Sequence, residues 1–229
     1  EIQAAHQAGF LPIVVGGTGM YLHMLIKGIA AMPAIPSAIR ENVRSRLSDK
    51  GSVLLHAELS NFDPKTAARL NVSDSQRIAR AIEIFEATGK CLTQWHAEGI
   101  ESVTLPEFKF RSVLLKPRRE ILYAACDVRF EEMLRMGALD EVGALVERNL
   151  DPNLPAMKAL GIPEIIKYLA GELLLEEAVS AGQQTTRRYV KRQGTWFKNQ
   201  FIADMVIESK YNNTLNHKIF PFISKFLLT

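Results

Sequence analysis

Gly16-Gly17-Thr18-Gly19 is the first place where residue type and spacing suggest a bound anion or base edge. Glycines after a strand let backbone approach a ligand closely, and amides opening the next helix attract anions. The Thr18 hydroxyl could hold a phosphate or a base edge; the plainer reading is a tight turn with Thr18 as N-cap. A second cluster is Gln76, Arg77 and Arg80, on the first turns of an expected helix and away from its Ile78, Ile82 and Phe85 face. Two arginines at a helix's positive end work against the macrodipole. Phosphate or base contacts would offset that cost, and a solvated face paired with Glu83 and Glu86 is the alternative. Lys116, Arg118, Arg119 and Arg129 form a third group, around the end of an expected strand and the helix after it. Ligands of open α/β sheets sit outside the carboxyl ends of strands, so cations there can hold a phosphorylated substrate.

The strongest charge feature runs from Thr186 to Lys198. It holds Arg187, Arg188, Lys191, Arg192 and Lys198, no acid, and the aromatics Tyr189, Trp196 and Phe197. Cations interleaved with aromatics suit phosphate contacts and base stacking. At helical spacing Tyr189, Gln193, Trp196 and Phe197 share one face, which favours burial of the rings and leaves a basic outer face. His6, His23, His56, His96 and His217 have no metal-site spacing and no triad partner, and Gly-x-x-x-x-Gly-Lys-Ser/Thr occurs nowhere in the chain.

These residues need positioning elements, and the hydrophobic pattern supplies them. The opening Glu1 to Gly9 reads as a helix stopped by glycine, and a chain starting inside an element is expected to be a piece of a longer one. Residues 11–15, Leu-Pro-Ile-Val-Val, read as a buried parallel strand, followed by the glycine turn and a helix from Met20 to Ile26. Pro33 to Pro36 reads as a connector. Beyond it come helices over 38–49, over 65–70 after Asp63-Pro64, and over 75–88 between the cap Asp74 and the stop Gly89. A strand at 110–115 returns, with helices over 117–136, 138–148, 164–170 and 175–201, a loop at 152–163, and no trusted period after Glu208. The expected architecture is therefore α/β: a first core segment at 1–34, an all-helical insertion at 35–105, a second core segment at 106–205 and a tail at 206–229.

Composition sets the outer bounds. The 229 residues are 47% hydrophobic and 23% charged, ordinary for a globular chain and against disorder, collagen or coiled coil. No apolar run reaches transmembrane length, so no membrane partner is expected. Two cysteines without metal spacing point to a reducing, cytoplasmic setting. A net charge of +3 implies no nucleic acid by itself, so any such partner must be argued from where the charge sits.

In order, Leu-Pro-Ile-Val-Val-Gly-Gly-Thr-Gly-Met-Tyr at 11–21, Asp-Ser-Gln-Arg-Ile-Ala-Arg-Ala-Ile-Glu-Ile-Phe-Glu-Ala-Thr-Gly-Lys at 74–90, Met-Lys-Ala-Leu-Gly at 157–161 and Thr-Arg-Arg-Tyr-Val-Lys-Arg-Gln-Gly-Thr-Trp-Phe at 186–197 resemble the tRNA dimethylallyltransferase (IPP transferase) family. The resemblance covers roughly residues 1–200. It implies a P-loop-kinase-like core with a helical, tRNA-gripping insertion. The implied reaction moves a dimethylallyl group from dimethylallyl diphosphate to N6 of the adenosine 3′ to the anticodon, with Mg²⁺. It makes Thr18, Arg40, Gln76, Arg77, Ile78, Ala79 and Arg80 tRNA-binding positions, with Lys158, Ala159, Leu160, Gly161, Ile162 and Pro163 as a further stretch. Gly16, Gly17 and Arg129 are the expected contacts to the prenyl donor. The family's P-loop and general-base aspartate match nothing here, so no catalytic residue is expected in this chain, which should be inactive alone and monomeric. The other readings are a P-loop small-molecule kinase with a helical lid and a non-catalytic RNA-binding module.

Overall fold

The computed structural model describes residues 1–28, 32, 34–97 and 108–227, which divide into two compact units. Met20–Phe108 form one, and Glu1–Gly19 with Lys109–Thr229 form the other. The boundary expected at 105/106, and Pro33 of the expected connector, lie outside the described residues.

Helices α1 (Ile2–Gln7) and α2 (Gly19–Lys27) come first. The helical unit then continues with α3 (Ser37–Phe62), α4 (Pro64–Arg69), α5 (Ser75–Thr88) and α6 (Leu92–Ala97). α3 is longer than the 38–49 helix expected and kinks at Gly51, whose φ of 76° no helix allows. Val43 before the kink and Leu55 and Leu59 after it are fully buried against Ile78 and Ile82 of α5. Arg46 fastens the bend, donating to Glu58 beyond the kink and to Glu86 of α5. The hydrogen bond to Glu86 leads the causes that raise its pKa further. Asp63 is the hinge pin between α3 and α4. It is buried, accepts from the Thr66 amide as N-cap, and takes the Thr93 amide and hydroxyl from α6. Burial alone would raise its carboxyl, but the hydrogen bonds from Thr93 and Thr66 outweigh that and hold its pKa below the ordinary value.

The second unit carries the sheet. β1 (Val113–Leu115) pairs in parallel with β2 (Met205–Ile207), Leu114 opposite Val206. Asp204 braces the pair by accepting from Ser112 and Arg111. Between the strands run α7 (Arg119–Arg135), α8 (Ala138–Glu147), α9 (Ile162–Leu169) and the 26-residue α10 (Leu175–Gln200). Phe130 of α7 is the wedge. Its ring lies where a Cβ on Gly161 or Gly182 would fall, at 2.7 and 2.4 Å, so those positions admit only glycine. Arg187 of α10 donates to both carboxylate oxygens of Asp127 on α7. The tail folds as α11 (Asn216–Leu227), which Pro221 inside the helix had obscured.

One expectation fails. Residues 11–15 form no strand; they pair with none, and all but Pro12 are exposed, Val15 at 90%. A β-branched run becomes a strand only where a neighbouring strand exchanges backbone hydrogen bonds with it, and no strand of the described residues pairs with this one. No helix of the described residues is long and apolar enough to cross a membrane.

Candidate nucleic-acid interface

In the sheet-bearing unit, the Gly16–Gly19 turn rests on α10. Gln193 Nε2 donates to the Gly17 carbonyl at 2.8 Å, and a Cβ on Gly17 would sit 2.3 Å from that nitrogen. A Cβ on Gly19 would lie 2.0 Å from the Trp196 ring. Neither glycine has a positive φ. At Gly19 the missing side chain makes room for the Trp196 ring, and at Gly17 for the end of the Gln193 side chain. Gly16 faces open space and Thr18 is exposed, so both stay accessible from solvent.

The basic stretch lies on the last half of α10. Arg187 is committed to Asp127, whereas Arg188, Lys191, Arg192 and Lys198 are exposed. Arg188, Lys191, Arg192, Thr195, Trp196 and Asn199 share one face of α10. Trp196 and Phe197 meet edge to face at 5.2 Å, and Phe201 joins them at 5.5 Å from Phe197. These rings pack on one another and are half-buried, as the helical spacing implied. Tyr189 is the exception: it stays exposed, with the Arg192 guanidinium 6.0 Å from its ring.

Lys158 ends a short 3-10 turn (Ala156–Lys158) and reaches Asn153 Oδ1 at 3.0 Å. Ala159 and Leu160 are exposed and Ile162 half-buried. Gly161 is buried with φ of 92°, so conformation and the Phe130 ring together dictate its identity. Pro163 occupies the first turn of α9, where its missing amide costs nothing. Arg129 is exposed on α7, as are Arg118 and Arg119 at its start.

In the helical unit, Gln76, Arg77 and Arg80 face solvent, and Arg40 is exposed on the first turn of α3. Arg77 pairs with the cap Asp74 at 2.9 Å and Arg80 with Glu83 at 3.3 Å. Ile78 and Ala79 of the same five-residue stretch have their side chains buried in the helical core. The 3.6-residue period places them there, between cations that point outward. His56 is spent internally, against the carbonyls of Ala67 and Leu70. Among the described residues no three His, Cys, Asp or Glu side chains gather as a metal site.

The sequence profile of the IPP transferase family matches residues 1–200. A tRNA dimethylallyltransferase of Bradyrhizobium sp. is 50% identical over 87% of this chain and 65% of its own length. One from Rhodopseudomonas palustris is 51% identical over 86% of this chain and 62% of its own. The chain thus spans a little under two thirds of these relatives. Among solved structures, the tRNA isopentenylpyrophosphate transferase of Bacillus halodurans superposes with a TM-score of 0.60 at 28% identity, covering 98% of this chain and 69% of that one. A eukaryotic dimethylallyltransferase described as acting on tRNA shares the fold, with a TM-score of 0.75 at 23% identity over 99% of this chain and 59% of that one.

Proposed function

The chain belongs to the IPP transferase family, and from that premise we propose that it forms the RNA-gripping part of an enzyme that prenylates tRNA. The observation that carries this reading is the exposed Thr18 turn seated on α10, whose outer face presents Arg188, Lys191 and Arg192. A hydroxyl beside an array of cations without acids suits a polyanion whose base must be held as well as its backbone.

The proposed substrate is the anticodon stem-loop of tRNA, and the proposed acceptor is N6 of the adenosine 3′ to the anticodon. Dimethylallyl diphosphate is the donor: the N6 lone pair forms the new C–N bond as the allylic C–O bond breaks. Diphosphate leaves with that electron pair, and the N6 proton passes to a base. An adenine reaches such a donor only when extruded from its stack. Thr18 holds the extruded base, and Arg40, Gln76, Arg77, Arg80 and Lys158 contact the RNA. Gly16 and Arg129 face the donor side. The phosphate-binding loop and the base lie in sequence this chain does not contain, which fits the absence of a Gly-x-x-x-x-Gly-Lys-Ser/Thr run and the greater length of the relatives. In that arrangement the exposed apolar run 10–15 is where further sheet would pack. Mg²⁺, held by the diphosphate oxygens, would offset the charge of the leaving group; among the described residues no three His, Cys, Asp or Glu side chains gather to hold an ion by themselves.

Binding of an anticodon stem-loop RNA to the chain, followed across a salt series, tests the reading. Arg188→Ala and Lys191→Ala should each lower the slope of log affinity against log salt by about one. Affinity and slope that stay at wild-type values in the double variant would refute it.

A further inference from the structure

The Gly16–Thr18 backbone belongs to no helix or sheet, yet the position of Thr18 depends on it. Two side chains of α10 meet this turn from the same helical stretch, three residues apart. The Gln193 amide reaches the Gly17 carbonyl, and the Trp196 ring lies where a Gly19 side chain would be. Thr18 sits between these two fixed points. A Cβ on Gly19 would run into the Trp196 ring and one on Gly17 into the end of the Gln193 side chain, and neither glycine is needed for its φ. Trp196 shares one face of α10 with Arg188, Lys191 and Arg192.

We propose that Gln193 and Trp196 are positioning residues that lock the Thr18 turn in register with the basic face of α10. This rests on the RNA-binding reading above. One rigid helix then sets both the cations that meet the phosphates and the hydroxyl that meets the base. Gln193 is suited to the task because its amide donates to a carbonyl without adding charge. A glutamate there would set a carboxylate against the same carbonyl. Trp196 supplies a rigid floor, so the turn cannot sink toward the helix when a ligand presses on it.

The test is a double-mutant cycle on binding of an anticodon stem-loop RNA, using the full chain and the variants Thr18→Ala, Gln193→Met and the pair. Gln193→Met keeps the length of the side chain and loses the donor. It should weaken binding about fivefold with Thr18 present and leave it unchanged in the Thr18→Ala background, because it acts through that hydroxyl. The salt slope should not move, since no phosphate contact is lost. Equal loss in both backgrounds, or a shallower slope, would overturn the proposal by making Gln193 an RNA contact or a fold element. Wild-type affinity in Thr18→Ala would instead defeat the role given to Thr18, and the inference with it. A measurement on the free protein decides the geometry separately. Amide exchange at residues 17–19 should quicken in Gln193→Met and Trp196→Leu while α7 and α9 keep their protection. Unchanged exchange at the turn would refute the lock.

Discussion

The two units differ in how completely each buries its own apolar surface. The largest fully buried side chains, Leu55, Leu59, Ile78, Ile82, Ile84, Val43 and Asp63, all lie in Met20–Phe108. The most exposed aliphatic side chains, Ile202 at 98% and Val15 at 90%, lie in the other unit, with Ile13 and Phe10 at 70%. Helices satisfy their backbone internally, so four of them with matched apolar stripes close a core by themselves. Strands satisfy theirs only through neighbours, and a two-stranded parallel pair with both edges open leaves such surface uncovered. The helical unit closes its own core, and the sheet-bearing unit leaves more apolar surface open.

Core truncation should separate the units most sharply. Leu59→Ala should cost the helical unit about 3 kcal/mol, whereas Val15→Ala should change the other by less than about 0.5 kcal/mol. Each unit holds one tryptophan, Trp95 in the first and Trp196 in the second. Urea unfolding followed by fluorescence in Trp95→Phe and Trp196→Phe backgrounds therefore reads them apart. Comparable losses at both positions would erase the contrast.

Asp63 should give the next largest effect. Asp63→Ala removes the α4 cap and strands the Thr93 hydroxyl and amide, at a cost of about 2 kcal/mol to the helical unit. Its folded pKa lies below the ordinary 3.8, so its contribution is complete above that value and is lost as pH falls through and below it. The Trp95-reported stability should hold from neutral pH to about pH 5 and fall below about pH 4. Asp63→Asn should flatten that fall. A profile identical to wild type would remove Asp63 from the acid sensitivity.

Asp204 is the corresponding group of the sheet-bearing unit. Burial opposes its ionisation, and the bonds from Ser112 and Arg111 lower its pKa all the same. The sign is therefore the same as for Asp63. Asp204→Asn should cost about 1 kcal/mol at neutral pH, less than Asp63→Ala, because its partners are wetter and a single amide oxygen keeps part of the bonding. The Trp196-reported transition checks it. A loss as large as that at Asp63 would mean that the strand pair, not the helical core, is the better-braced region.

Most helices were legible because caps and stops are local: Asp63-Pro64, Asp74 and Gly89 each mark an end in a way that no distant residue alters. The second half of α3 was missed since Gly51 interrupts the period, and α11 since Pro221 does. Sheet membership failed in both directions. Residues 11–15 have the composition of a strand without a partner, whereas Met205–Ile207 is too short to announce itself and pairs with a segment about ninety residues earlier. At the candidate interface, type and exposure were readable for Arg77, Arg80 and the α10 cations. Glycine's purpose was not. That Gly17 and Gly19 make room for Gln193 and Trp196 depends on packing across more than 170 positions of sequence.

The smallest expected change in stability is also the most telling about function. Arg77 is 75% exposed and its ion pair with Asp74 spans one helical turn. Such a pair contributes little in water, and Asp74 keeps its bond to the Arg77 amide when the side chain is cut back. Arg77→Ala should therefore shift the Trp95-reported midpoint by less than about 0.5 kcal/mol. Losing a cation near a helix N-terminus even relieves some unfavourable dipole energy. If RNA affinity falls with so little loss of stability, the arginine is kept there for a ligand. If stability falls instead and affinity holds, Arg77 is a brace of the helical arm, and the basic face of α10 must carry the RNA alone.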